Sequence, residues 1–145
     1  MRALAQRVTR ASVEVGGEPI AAIGPGLLVL LGVAHDDDEA IAVRMAAKLR
    51  ALRVFEDGQG RMNEPLGERE VLCVSQFTLL ADTRTGNRPG FAAAAPPELA
   101  RRLYERVCDD LGAQRGSFGE DMAVELVNDG PVTLLVEVPP PATST

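Results

Sequence analysis

The sequence predicts a single α/β domain of the α+β kind, with a largely antiparallel curved sheet or barrel-like β layer and two main helices. Three observations point there. Glycine-rich turn signals at Gly16-Gly17 and Gly24-Pro25-Gly26 cut the first 34 residues into alternating or apolar runs. Only two stretches place apolar residues at the three- and four-residue spacing of an amphipathic helix. Those helices do not alternate regularly with strands, so a βαβ series is not expected.

The elements follow in order. Residues 2–15 alternate (Val8, Ser12, Val13, Glu14, Val15) and end at Gly16-Gly17, which reads as a hairpin turn. A return strand, Glu18 to Ile23, comes next. Gly24-Pro25-Gly26 reads as a second turn, and Gly26 to Ala34 is apolar enough for a strand buried on both faces. Asp36-Asp37-Asp38 supplies caps for a helix from Glu39 to Leu52, with Ile41, Met45, Leu49 and Leu52 on one face. Arg53 to Glu56 predicts a brief strand, residues 57–69 an irregular stretch, Val71 to Leu80 a central strand and Ala81 to Gly90 a loop. A second helix runs from Glu98 to Leu111, carrying Leu99, Leu103, Val107 and Leu111 on one side. A connector, Gly112 to Asp121, leads to strands Met122 to Val127 and Val132 to Val138, joined by Asn128-Asp129-Gly130-Pro131. The expected domain is 1–138, and residues 139–145 (PPPATST) form a low-complexity tail expected to be loose.

Composition narrows the function classes. A chain of 145 residues, 46% hydrophobic and 25% charged, has the make-up of one folded domain rather than a disordered one. The longest apolar candidate, Ile23 to Ala34, is interrupted by glycine and proline and is too short to cross a bilayer, so no membrane partner is expected and the cytoplasm is the expected location. A net charge of −6 argues against charge-driven binding along a nucleic-acid backbone, so DNA is not an expected partner; a grip on one RNA end stays compatible. Fourteen of the fifteen cationic side chains are arginine, the better fork for phosphate or carboxylate.

Familiar catalytic machinery is scarce. His35, the one histidine, sits beside three aspartates and reads as surface before a helix. Cys73 and Cys108 have neither metal spacing nor disulfide number and read as small buried hydrophobes, so no metal and no cofactor are expected. Gly24-Pro25-Gly26 lacks the lysine of a phosphate loop. Three segments remain. Ser75-Gln76-Phe77-Thr78 puts polar residues inside an apolar strand, where they either satisfy neighbouring backbone or face a substrate pocket. Asn128-Asp129-Gly130-Pro131-Val132-Thr133 is either an ordinary hairpin turn or a functional one. Thr83 to Phe91, holding Arg84 and Arg88, is either a solvated loop or a phosphate contact.

Taken together these segments resemble the D-aminoacyl-tRNA deacylase family. The resemblance rests on Ser75-Gln76-Phe77-Thr78-Leu79 with Ala81-Asp82, and on Asn128 to Thr133. It extends through Gln6-Arg7-Val8, Ala11-Ser12-Val13, Ile23 to Leu27, Leu31-Gly32-Val33, Arg53-Val54-Phe55 and Met62-Asn63. Towards the C-terminus it takes in Arg88-Pro89, Ala95-Pro96-Pro97, Phe118-Gly119 and Asp121-Met122. It implies a homodimer that hydrolyses the ester between a D-amino acid, or glycine, and the 3′-terminal adenosine of tRNA. Gly130 and Pro131, through a cis bond, would enter the partner's site and reject L side chains by collision. Ser75, Gln76, Phe77 and Thr78 would form the catalytic floor, with main-chain N–H groups near Phe77 and Thr78 receiving the oxyanion. Thr78 would position and hydrogen-bond rather than attack, because no base is visible to activate it. Asn128 would belong to the substrate-binding turn, Phe91, Phe118, Gly119 and Met122 would line the adenosine pocket, and Arg84 and Arg88 would touch acceptor-stem phosphates. The chain departs from the family pattern at Gly90 (usually serine), at Asn87-Arg88 (usually a basic pair) and at Glu64-Pro65-Leu66 in a shortened loop. A non-catalytic dimer that binds RNA ends or nucleotides is the rival reading.

Overall fold

Strand β1 (Arg2–Val15) organises the sheet, because both of its edges are used along its length. A computed structural model describes residues 1–139. One edge of β1 pairs antiparallel with β8 (Ala123–Glu137) from Arg2↔Glu137 to Glu14↔Ala123. The other edge takes β2 (Glu18–Ile23) and β3 (Gly26–Gly32) end to end. Beyond β3 lie β6 (Glu70–Ser75) and β7 (Gln114–Arg115), both added in parallel. The six strands form one mixed sheet that curls nearly into a barrel. A small hairpin, β4 (Phe55–Glu56) with β5 (Met62–Glu64), stands apart from it.

Side-chain alternation divides the core between the two faces of the sheet. Leu27, Val29 and Leu31 of β3, with Val71 and Cys73 of β6, point to the helices α1 (Glu39–Ala51) and α2 (Pro97–Leu111). Leu28, Leu72 and Val74 point the other way, onto Val8, Val13, Ile23 and the partly buried Met122, Val124 and Leu126. The continuous apolar run of β3 is thus explained by burial on both sides. Each fully buried leucine contributes roughly 1.5–3 kcal/mol. Asp38 caps α1 by accepting from the Ile41 N–H at 2.9 Å, while Asp37 turns inward to accept from the Ala34 N–H at 2.7 Å. Pro97 opens α2, where its missing N–H costs nothing.

Four features differ from the sequence expectation, each for a local reason. Gly24-Pro25 is a step within one strand line rather than a turn: Ile23 faces Ala11 and Gly26 faces Val8, so β2 and β3 continue in one register along β1. Gly26 belongs there because a Cβ would lie 1.8 Å from the Glu70 carbonyl oxygen of β6. The expected strand to Leu80 stops at Ser75, where its parallel pairing with β3 ends, and Phe77–Leu80 forms a 3₁₀ turn. Strands β5 and β7 arise in stretches read as irregular, since both are too short to leave a periodic signal. The two expected C-terminal strands are one strand, β8, because both halves pair with β1. Residues 140–145, most of the expected tail, lie outside the described residues.

Candidate active site

The end of β6 opens onto a cleft of about 600 Å³, within the size range of small-ligand sites. Val74, Ser75, Gln76 and Phe77 form one wall, Pro97 and Ala100 of α2 another, and Phe118, Gly119, Met122 and Val124 a third. The site sits at the carboxyl end of parallel strands, where the backbone runs out of sheet partners. Gln76 still donates its N–H to the Leu31 carbonyl at 2.8 Å, but the chain then folds into the 3₁₀ turn. The first N–H groups of such a turn have no partner within it. Among the described residues, neither Phe77 nor Thr78 gives its N–H to any acceptor. Arg2 fixes the turn from outside by donating to the Leu79 carbonyl at 2.9 Å. The Gln76 side-chain amide donates to the Thr78 hydroxyl.

Phe118 packs against two side chains of α2. Its ring centre lies 5.9 Å from that of Tyr104, whose hydroxyl donates to the Cys73 carbonyl at 2.7 Å. The Arg101 guanidinium lies over the same ring at 4.9 Å. Below the cleft Cys73 and Cys108 are buried; the neighbouring Cys108 thiol, then burial, push the Cys73 thiol well up, so it stays neutral. Burial likewise raises the Tyr104 phenol. The charged groups lining the cleft are Glu120 and Asp121. His35 lies exposed in the turn before α1 and lines none of it.

The segment Asn128–Thr133 is a different kind of structure. Opposite the single residue Arg7, strand β8 spends four residues, 129–132, as an excursion between the pairs Val8↔Asn128 and Gln6↔Thr133. Side chains replace the lost ladder bonds. Asn128 Oδ1 accepts from the Val132 N–H at 3.0 Å, and its amide donates to the Thr133 hydroxyl at 2.9 Å. Arg7, nearly buried, donates to the Asp129 carbonyl at 3.0 Å and the Val54 carbonyl at 2.7 Å. Gly130 has φ +134°, and a Cβ there would lie 2.8 Å from the Val132 side chain. Gly130 and Pro131 are exposed, joined by a cis bond, and line no part of the cleft of their own chain.

The structure therefore gathers Ser75, Gln76, Phe77, Phe118, Gly119 and Met122 at the cleft, with Thr78 at its edge on the 3₁₀ turn. Phe91 does not line it: the bridge between Asp82 and Gly90 carries Phe91 onto Phe77, ring centres 5.0 Å apart, as an outer aromatic pair. Arg84 is forked onto the Asp82 carboxylate at 2.9 and 2.8 Å, which lowers Asp82 to about 2. Arg88 lies exposed on the same loop. Sequence reasoning gave Arg7 no role, although a signal existed. Arg7 follows Ala3 and Ala5 at the two-residue spacing of the buried face of β1, an unusual place for a cation.

Comparison with known proteins decides the family. The family model described as D-Tyr-tRNA(Tyr) deacylase matches residues 4–137. The chain belongs to this family. A D-aminoacyl-tRNA deacylase of Anaeromyxobacter dehalogenans (strain 2CP-C) is 57% identical over 144 residues, covering 94% of this chain and 97% of its own length. A solved structure called c-Myc DNA Unwinding Element Binding Protein superposes with TM-score 0.90 at 43% identity, over 98% of this chain and 100% of that one. Another, described as a probable eukaryotic D-amino acid tRNA deacylase, reaches TM-score 0.80 at 15% identity over 93% of this chain and 97% of that one, a likeness of fold alone. The strand line, the 3₁₀ turn and the β8 excursion all lie within the matched residues.

Proposed function

We propose that this chain is a D-aminoacyl-tRNA deacylase that cleaves the ester between a D-amino acid, or glycine, and the 3′-terminal adenosine of tRNA. The observation that carries the reading is the pair of unengaged N–H groups, Phe77 and Thr78, beside a cleft without a histidine. An aminoacyl ester is already reactive, so the protein's task is to hold the carbonyl and stabilise the oxyanion that forms when water adds. The neighbouring ribose 2′-OH assists the water. Collapse of the intermediate breaks the bond to the 3′-oxygen, which takes a proton, and releases the amino acid. Terminal adenosine lies against Phe118, Gly119 and Met122, and Thr78 positions rather than attacks.

Stereochemical selection falls to a second copy. Gly130 and Pro131 are exposed and line no part of their own cleft, and Val127, Leu134 and Leu135 of β8 are exposed apolar residues on the same strand. In a homodimer the turn of one protomer enters the cleft of the other. Its carbonyls meet the substrate's α-amino group, so an L side chain collides with backbone while a D side chain or hydrogen does not. Loop arginines Arg84 and Arg88 face acceptor-stem phosphates. Action on tRNA places the enzyme in the cytoplasm, and no helix among the described residues is long and apolar enough to cross a membrane. A net charge of −6 gives no basic footprint for duplex DNA, despite the name of one structural neighbour.

The test incubates the purified protein with matched D-tyrosyl-, L-tyrosyl- and glycyl-tRNA and follows ester loss against an enzyme-free control. The expected result is rapid loss of the D and glycyl esters with the L ester spared. Sparing of all three, with RNA-end binding retained, would instead establish the non-catalytic reading.

A further inference from the structure

The cleft presents a charge problem for any nucleotide. Its lining holds two carboxylates, Glu120 and Asp121, and no arginine or lysine. A terminal nucleotide attached to an RNA chain brings a phosphate to the cleft mouth, where those carboxylates repel it. The guanidinium placed against a lining side chain is that of Arg101, over the Phe118 ring at 4.9 Å. Its neighbours on α2 are already neutralised: Arg102 lies 3.6 Å from Glu39, and Arg106 lies 3.4 Å from Glu39 and 3.1 Å from Asp110. Arg101 is exposed, and among the described residues it has no carboxylate within ion-pair distance.

We infer that Arg101 binds the phosphate that joins the terminal nucleotide to the rest of the RNA. This inference rests on the deacylase reading of the same cleft. Two features fit the residue to the task. A guanidinium stacked on an aromatic face keeps its edge N–H donors free, so it holds the ring and forks onto phosphate oxygens at once. Arg101 also stands one turn along α2 from Pro97 and next to Ala100, both of which line the cleft, so its reach covers the mouth rather than the floor. The base and ribose are enclosed by apolar walls, and the phosphate stays at the solvent edge where this cation waits.

The experiment compares two esters: D-tyrosyl-tRNA, and 3′-O-D-tyrosyl-adenosine with a free 5′-hydroxyl and hence no phosphate. In Arg101→Ala the KM for the tRNA ester rises about tenfold with kcat within about twofold, because the lost contact is equally present in ground and transition states. For the adenosine ester, which loses only the guanidinium's contact with the Phe118 ring, KM rises by no more than about threefold, so the two esters separate. The salt dependence of kcat/KM for the tRNA ester loses about 0.7 in log–log slope, the share of one single-strand phosphate. Arg101→Lys, which keeps the charge without the planar fork, falls between. Equal losses on both esters would overturn the inference by showing that Arg101 only props Phe118, and no loss on either would place the phosphate elsewhere. If the wild-type protein cleaves neither ester, the deacylase reading itself falls and this inference with it. Wild-type cleavage with an unchanged tRNA-to-adenosine ratio in Arg101→Ala defeats the inference alone.

Discussion

The cleft at the end of β6 and the excursion on β8 solve opposite backbone problems. At the cleft the chain leaves a parallel pair and goes directly into a 3₁₀ turn, and two N–H groups are left without partners at the edge of a concavity. On β8 the chain also leaves its pair, yet the excursion is tied by Asn128, Thr133 and Arg7 side chains, while Gly130 and Pro131 stay exposed. On the proposed reading, the region that receives substrate keeps donors open for the substrate's oxygen. A region that must hold a shape while exposed has its loose groups engaged by its own side chains.

Removing the tie on the excursion is the strongest test of that contrast. Arg7→Met leaves the Asp129 and Val54 carbonyls without their guanidinium donor, a loss of about 3 kcal/mol for charge-assisted bonds in a nearly buried setting. The denaturation midpoint should fall accordingly, and the ratio of D- to L-tyrosyl-tRNA cleavage should fall with it under conditions where the variant stays folded. Lower stability with an unchanged ratio would separate Arg7 from selection and leave the excursion a structural detail.

The two regions were also unequally legible in the sequence. The strands of the first 32 residues, both helices and the Asp38 cap follow from alternation, spacing and capping chemistry, which are local. The end of β6 does not, because Ser75 to Leu80 carries the composition of a strand, and only the end of its parallel partner β3 stops it. The single strand β8 was hidden for a similar reason. Gly130-Pro131 signals a turn, but whether the chain reverses there or resumes its path depends on β1 lying opposite. Arg7 and Arg101 likewise acquire meaning only from what the fold brings to them, the Asp129 carbonyl and the Phe118 ring.

A smaller effect is expected at the open edge of the cleft. Thr78→Ala removes a hydroxyl that accepts from the Gln76 amide but leaves the backbone N–H of residue 78 where it is. Single-turnover deacylation should slow by less than about tenfold, the scale of one neutral hydrogen bond. A loss beyond about a thousandfold, or a trapped acyl group on Thr78, would make the side chain a nucleophile and remove the backbone from its central place.

The smallest effect belongs to the loop beside the outer aromatic pair, where Asp82 occupies Arg84. The fork from Arg84 holds the Asp82 carboxyl down at about 2, against 3.8 for the free group. A depressed carboxyl contributes stability above its unfolded value and loses it as pH falls through the folded value. The advantage of the wild type over Asp82→Asn should therefore be present above about pH 4 and vanish towards about pH 2. Because the pair is solvent-exposed, the difference in denaturation midpoint at neutral pH should be slight. The same substitution frees the Arg84 guanidinium, so the KM for D-tyrosyl-tRNA should fall by about twofold at low salt, within the range of one exposed ion pair. A rise in KM would mean that Asp82 aims Arg84 at the RNA rather than restraining it, and the loop would then belong with the tied excursion instead of the open cleft.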